Sequence, residues 1–210
     1  MVAKIINYSY IISMNQNNSA NNLIVYRLDN KDRISYVSPN WDNFVIENDG
    51  PDDLLSANVL NKTIWLFISD SETSQIYTAI LEKVRKFRKS FKINIRCDAP
   101  SIVRYIDISI NPLDNENVEF NCVTIRTQPR PPVFILDRKF PRTQELIKMC
   151  SYCKAIKVGN IWLDTEEAVV KLNLFSKEYL PAISHGICSS CYEKFMKELN
   201  DDNMAFTQPA

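Results

Sequence analysis

Two C-x-x-C pairs, Cys150/Cys153 and Cys188/Cys191, constrain this chain more than any other feature. Two residues between cysteines let one tight turn present both sulfurs to a single ion. A second such turn completes the tetrahedral set that a structural zinc site prefers. The expected metal ligands are therefore Cys150, Cys153, Cys188 and Cys191, and the expected ion is structural Zn2+. The stretch between the pairs, 154–187, is longer than in common zinc ribbons, so it must carry structure of its own. Ile161-Trp162-Leu163 against Ala168-Val169-Val170 reads as a hairpin, and Phe175 to Leu180 as a short helical turn. The chain has 3 glycines, and two of them, Gly159 and Gly186, lie beside these turns. A chain wrapping an ion calls for the left-handed backbone that glycine tolerates. The second pair leads into the amphipathic stretch Tyr192–Leu199. Cys188 and Cys191 then fall at a helix N-terminus, where the dipole favours the thiolate.

Other chemistries of paired cysteines fit less well. Haem attachment needs His directly after the second Cys, and Lys154 and Tyr192 stand there. Thiol–disulfide exchange uses one pair on a βαβ scaffold, which neither pair follows. A four-thiolate iron–sulfur centre remains open. His185, the lone histidine, either replaces one thiolate or bonds a ligating sulfur from outside. The second role is expected, because four thiolates already close a structural site. Cys97 and Cys122 lie in strand-like stretches and read as small buried apolar groups, with a redox-sensing thiol as the alternative.

The remaining chain is globular. Hydrophobic residues make up 45% and charged residues 24%, with 25 basic against 25 acidic side chains. No global field draws such a protein to nucleic acid or an anionic membrane. No apolar run has the length of a membrane span. The segment Ile5–Ser13 after Lys4 is interrupted by Asn7, Ser9 and Ser13 and leads to no cleavage site. A reducing, cytoplasmic setting is the expectation.

Five segments follow from composition and periodicity. Residues 1–22 form an extension ending in the polar run Met14–Asn22. Residues 23–128 form the main unit: a hairpin of 23–28 and 33–37, a helix from Asn40 to Ile46 with Ser38 as cap and Pro39 at its first position, and a short helix over 52–57. A longer helix over 71–90 turns Ile76, Ile80, Leu81, Val84 and Phe87 inward. Three antiparallel strands follow, around 91–95, 102–110 and 118–125. Residues 129–140 are a Pro-rich linker, 141–200 the C-x-x-C module, and 201–210 a disordered tail. The opposite face of the long helix carries Lys83, Arg85, Lys86, Arg88 and Lys89, with Lys92 beyond it, and reads as a solvated face rather than a phosphate-binding one. Pro129 to Pro132 reads as a stiff spacer rather than a polyproline ligand.

This element order resembles the PAS fold, an α+β architecture with a five-stranded antiparallel sheet and helices inserted after the second strand. Tyr36-Val37-Ser38-Pro39-Asn40-Trp41 resembles the segment entering the first PAS helix. Arg96-Cys97-Asp98-Ala99-Pro100, followed by Arg104-Tyr105, resembles a segment of a small bacterial PAS-like subgroup. The tail, Cys150-Ser151-Tyr152-Cys153 through Trp162 to Ser184-His185-Gly186-Ile187-Cys188-Ser189-Ser190-Cys191, is similar to a motif that closes bacterial signalling proteins containing PAS or receiver domains. It departs at Ser189-Ser190 and at Val158-Gly159-Asn160, and neither change removes a ligand. The resemblance implies a bacterial signalling module that binds a protein partner, a second copy of itself as a homodimer, or a small molecule of unknown identity. It implies no catalysis, and no phosphate loop, nucleophile elbow or His/carboxylate cluster stands in the sequence. A nucleic-acid-binding regulator that reads through the zinc module is the second reading. Lys194 and Lys197, set against Glu193 and Glu198, argue against it. A thiol-redox sensor is the third.

Overall fold

The computed structural model describes residues 23–48, 50–68 and 70–200, and the backbone of Phe206–Thr207. The extension 1–22 and the rest of the tail 201–210 lie outside the described residues.

The chain opens with β1 (Leu23–Leu28), whose side chains alternate between core and surface as a half-buried strand requires. Asp29 turns it back. Its carboxylate accepts from the backbone N–H of Lys31 and Arg33 at 2.9 and 2.8 Å, and β2 (Ile34–Val37) returns antiparallel. The chain then leaves the sheet. It forms α1 (Trp41–Glu47), a 3-10 turn (Asp52–Leu54), α2 (Ser56–Val59), a second 3-10 turn (Ile64–Phe67) and α3 (Ser71–Phe87). Three strands complete the unit: β3 (Ser90–Arg96), β4 (Ile102–Pro112) and β5 (Val118–Pro129). β5 runs between β4 and β1, so the two ends of the unit close on each other.

Several local expectations change. Ser38 does not cap α1; its hydroxyl donates to Asn40 Oδ1 and accepts from Val25 N, which ties the helix entry to β1. Pro39 precedes the helix rather than opening it. α3 is capped by Asp70, which accepts from Thr73 N at 2.7 Å, and its inward face buries Ile76, Ile80, Leu81 and Val84 as the spacing predicts. Phe87 is exposed, because Arg88 turns left-handed and ends the helix there.

The C-terminal part passes through a 3-10 turn (Phe134–Leu136) into β6 (Arg142–Cys150), β7 (Ile156–Val158) and β8 (Ile161–Leu163). Then come α4 (Thr165–Lys171), a 3-10 turn (Leu174–Ser176), β9 (Leu180–Gly186) and α5 (Ser189–Asn200). The hairpin partner of Ile161–Leu163 is therefore Ile156–Val158, turning at Gly159, which is left-handed at φ 61°. Ala168–Val170 belong to α4 instead. The second sheet has order β8-β7-β6-β9, with β9 parallel to β6. The first has order β10-β3-β4-β5-β1-β2, where β10 is the dipeptide Phe206–Thr207 paired with Ser90 and Phe91. Those two tail residues are thus ordered into the sheet edge.

Two apolar clusters hold the molecule together. The larger lies between the first sheet and the helices, and it takes in Cys150, Tyr152, Ile187, Cys188, Phe195 and Leu199 from the C-terminal part. The smaller contains Val133, Ile135 and Leu136, so the segment 129–140 supplies core side chains as well as joining the parts. A buried ionic network joins them too. Asp98, fully buried, binds Arg96 at 2.5 Å and Arg130 at 3.0 Å. Those arginines reach Asp164 (3.2 Å) and Glu166 (2.8 Å) at the start of α4.

Candidate metal centre

Parallel pairing explains how sulfurs far apart in the chain meet. In the β6/β9 register Cys150 stands opposite Gly186, so both strands end at one place. The first pair turns directly off β6. Lys154 N donates to Cys150 O (3.2 Å), Cys150 N donates to Ala155 O (2.8 Å), and Lys154 itself takes the left-handed conformation at φ 66°. The second pair straddles the start of α5, with Tyr192 N donating to Cys188 O at 2.9 Å. The knuckles are tied together by Ser151 N, which donates to Gly186 O at 2.8 Å.

The sulfur atoms of Cys150, Cys153, Cys188 and Cys191 all lie within 4.8 Å of one another, and Cys153 and Cys188 are 3.6 Å apart. All four cysteines are free thiols. A tetrahedral ion with bonds of about 2.3 Å to sulfur separates its ligands by about 3.8 Å, so the cluster has the right size. Backbone amides also point at sulfur: Cys188 N donates to Cys150 Sγ and Cys191 N to Cys188 Sγ, both at 3.4 Å. Such donors stabilise negative sulfur. The thiols polarise one another. Hydrogen bonds from Cys153, Cys188 and Cys191 hold Cys150 far below the usual thiol range. Cys188 falls to about 7, raised by its bond with Cys150 and lowered further by Cys153 and Cys191. Cys153 and Cys191, the proton donors, are pushed up, first by Cys150. Four sulfurs gathered in this way can hold a metal ion such as zinc, releasing their protons to do so.

His185 is not part of the cluster, which among the described residues consists of cysteines alone. It lies on β9 opposite Met149. Burial, with the nearby charge of Lys154, lowers its pKa to about 4 and keeps it neutral. Gly186 serves close approach. A Cβ there would meet Lys148 Cε at 2.0 Å and Glu72 Oε2 at 2.8 Å. That glutamate also accepts from Ile187 N at 3.0 Å and from Lys148 Nζ at 3.0 Å, fastening the second knuckle to the first turn of α3.

The structure adds residues that spacing does not reveal. Lys154 is 1% exposed, and its ammonium folds back to donate to Ser151 O at 2.9 Å. Burial lowers its pKa, while Cys97, Asp98, Cys150 and Cys153 raise it. Tyr152, in the middle of the first pair, points into the larger core and packs on Phe195 with ring centroids 4.4 Å apart. Its carbonyl accepts from Arg96 N at 2.7 Å, continuing the end of β3 into the knuckle. The one available signal was an aromatic between two ligands, where a small polar residue would suffice.

Of the other candidates, Cys97 is buried, and Arg104 Nη1 lies 3.9 Å from its sulfur. Burial, with Cys97 nearby, pushes the Cys122 thiol up to about 12, so it is not a reactive thiolate. Of the basic residues on and beyond α3, Lys86, Lys89 and Lys92 are exposed, and the other three bond within the chain. Arg85 binds Asp32 (2.7 Å) and the carbonyls of Asp29 and Glu116, Arg88 bonds Leu113 O, and Lys83 bonds Leu199 O. Arg130, inside the Pro-rich run, is spent on Asp98, so that run is not a free polyproline ligand. No helix among the described residues is long and apolar enough to cross a membrane.

No protein-family model matches this chain, and no curated protein does. A solved structure described as the crystal structure of a C-terminal domain from Streptococcus mutans aligns with 50% of this chain and 77% of its own. The identity is 10% and the TM-score 0.33, a likeness too weak to support an argument.

Proposed function

We propose that the chain is a regulatory binding module of bacterial signalling type, with no catalytic centre, in which a structural zinc ion at Cys150, Cys153, Cys188 and Cys191 locks the C-terminal part onto a PAS-like α+β unit. The observation that carries this reading is the convergence of four sulfurs within 4.8 Å at a point where the knuckles themselves are built into the main core. The PAS-like part is supported by five antiparallel strands with the α-helices of the unit lying between the second and third. Bound zinc supplies folding free energy and fixes both turns. The side chains that couple metal to fold are those of the chain: Tyr152 inserts into the core, Glu72 holds the second turn, and Lys154 sets a positive charge behind the thiolates. A cytoplasmic setting suits four free thiols. The module acts by docking a protein partner or a second copy of itself.

Native mass spectrometry with metal analysis tests the reading. One zinc per chain is expected, lost with a strong chelator together with a drop in melting temperature. At free metal about 1,000 times Kd, binding contributes about 4 kcal/mol, which for a chain of this size is about 8–16 °C. A protein that purifies without metal and melts unchanged with chelator sinks it.

A further inference from the structure

The parallel strands β6 and β9 give the second sheet two different ends. Both strands finish at the cysteine cluster, with Cys150 opposite Gly186. Both start at the other end, where Arg142 stands opposite Leu180, about 20 Å away along β9. One guanidinium clasps two connecting segments there. Arg142 donates to Ile135 O and Asp137 O on the first and to Pro181 O beyond the second, and Leu180 N donates to Pro141 O.

This end shows aromatic rings to solvent. Phe134, Phe175 and Tyr179 are 47%, 60% and 58% exposed, although their chain neighbours Val133, Leu174 and Leu180 are buried in the smaller cluster. Phe134 leans on Phe140 with centroids 5.7 Å apart, and Phe175 lies on the 3-10 turn that leads from α4 towards Tyr179. Cations stand among the rings. In segments 134–141 and 167–179, Arg138, Lys139, Lys171 and Lys177 are exposed, against the exposed acids Glu167 and Glu178. The half-buried Asp137 turns its carboxylate back onto Lys139 N. Asp164 and Glu166 lie at the opposite end of α4, engaged with Arg96 and Arg130. The chain as a whole has no net charge, so this excess is local and gives the molecule one attractive end.

Rings interleaved with cations on connecting segments match a surface that offers hydrocarbon and anionic oxygen side by side. A duplex nucleic acid would meet the cations and leave the rings in water. An apolar protein face would meet the rings and strand the cations. A bilayer with anionic headgroups satisfies both, because rings seat at headgroup level while lysine stems reach phosphate.

We propose that this end of the second sheet is a peripheral docking face for an anionic lipid bilayer, with Phe134, Phe175 and Tyr179 seated among the headgroups and Lys171 and Lys177 on their phosphates. It requires no spanning helix. The face lies at the end of the sheet away from the cysteines, so the inference goes beyond the metal-locked reading and does not depend on it.

The test is co-sedimentation of the full chain with vesicles, equal parts phosphatidylglycerol and phosphatidylcholine against phosphatidylcholine alone. Saturable binding to the anionic vesicles alone is expected, and high salt should release it. Lys171→Gln and Lys177→Gln should each weaken binding about 5-fold, and Phe175→Ser and Tyr179→Ser about 5- to 10-fold each. Lys86→Gln, on the exposed face of α3, should leave it unchanged. All five positions are exposed, and circular dichroism confirms that each variant is folded. Failure to bind anionic vesicles, equal binding to both kinds, or a loss in Lys86→Gln as large as in Lys177→Gln overturns the proposal. So does full binding by the Phe175→Ser/Tyr179→Ser double variant, which would reduce the effect to plain charge attraction. Capture of a single-stranded oligonucleotide through the same residues, with vesicles left unbound, would assign the face to nucleic acid and overturn it as well.

Discussion

Replacing Asp98 by Asn tests whether the two parts of the molecule are held together electrostatically. The carboxylate is fully buried and shared by Arg96 at 2.5 Å and Arg130 at 3.0 Å, whose side chains are 17% and 5% exposed. Asn keeps the shape but removes the charge, leaving two guanidinium groups without their buried partner. Breaking a buried pair in this way costs about 3–5 kcal/mol, because an uncompensated charge remains inside. The outer bonds to Asp164 and Glu166 recover little, since those acids are 72% and 47% exposed. For a chain of this length the loss is about 6–20 °C in melting temperature. Urea unfolding of D98N, R130M and the double variant gives the coupling energy directly, expected at about 1–3 kcal/mol. Hydrogen exchange should quicken first in α4, which the network reaches. A D98N protein melting within about 2 °C of the parent, with α4 protected as before, refutes the argument.

Gly186→Ala should cost about 1–2 kcal/mol by forcing Lys148 and Glu72 away from the second knuckle, and adding Lys148→Ala should recover part of it in the same urea assay. Glu72 has its pKa lowered by the Ile187 N–H bond and by Lys148, against burial. Its contribution is therefore complete above the unfolded glutamate value and is lost as pH falls through the lower folded one. The stability difference between the parent and E72Q at constant metal loading should shrink as urea midpoints are taken from pH 6 to pH 3.5. Arg104→Met should leave stability unchanged or raise it by up to about 3 kcal/mol, because two of the guanidinium nitrogens are buried without partners; a clear fall in the denaturation midpoint contradicts this.

The main unit was legible because its signals are local. Alternation wrote out β1 and β3, and a three-and-four spacing wrote out α3. The four-sulfur cluster was legible because C-x-x-C encodes a turn and its chemistry together. What escaped depends on partners distant in sequence. β6 lacks clear alternation, with Arg142–Lys148 half-buried or exposed, and only its pairing with β9 makes it a strand. Val169 and Val170 have strand propensity, but two residues are too few to outweigh the helix begun at Thr165 and packed through Ala168 and Val169. The left-handed position after the first pair belongs to Lys154, while Gly186 answers a crowding by Lys148 that no local rule contains. Arg130 looked like a charged residue in a spacer, and Asp98, thirty-odd positions upstream, is what buries it.

On the proposed zinc reading, the parallel pairing of β6 with β9 also sets when the ion is captured. Cys150 and Cys153 form a bidentate hook as soon as β7 returns beside β6, but the other two donors arrive only after the whole crossover has been laid down and β9 has found its neighbour. Tight coordination is therefore a late event, reached after much of the long-range contact has been made. Until then a weakly held ion can leave, so retention of metal reports that the strands have paired in register.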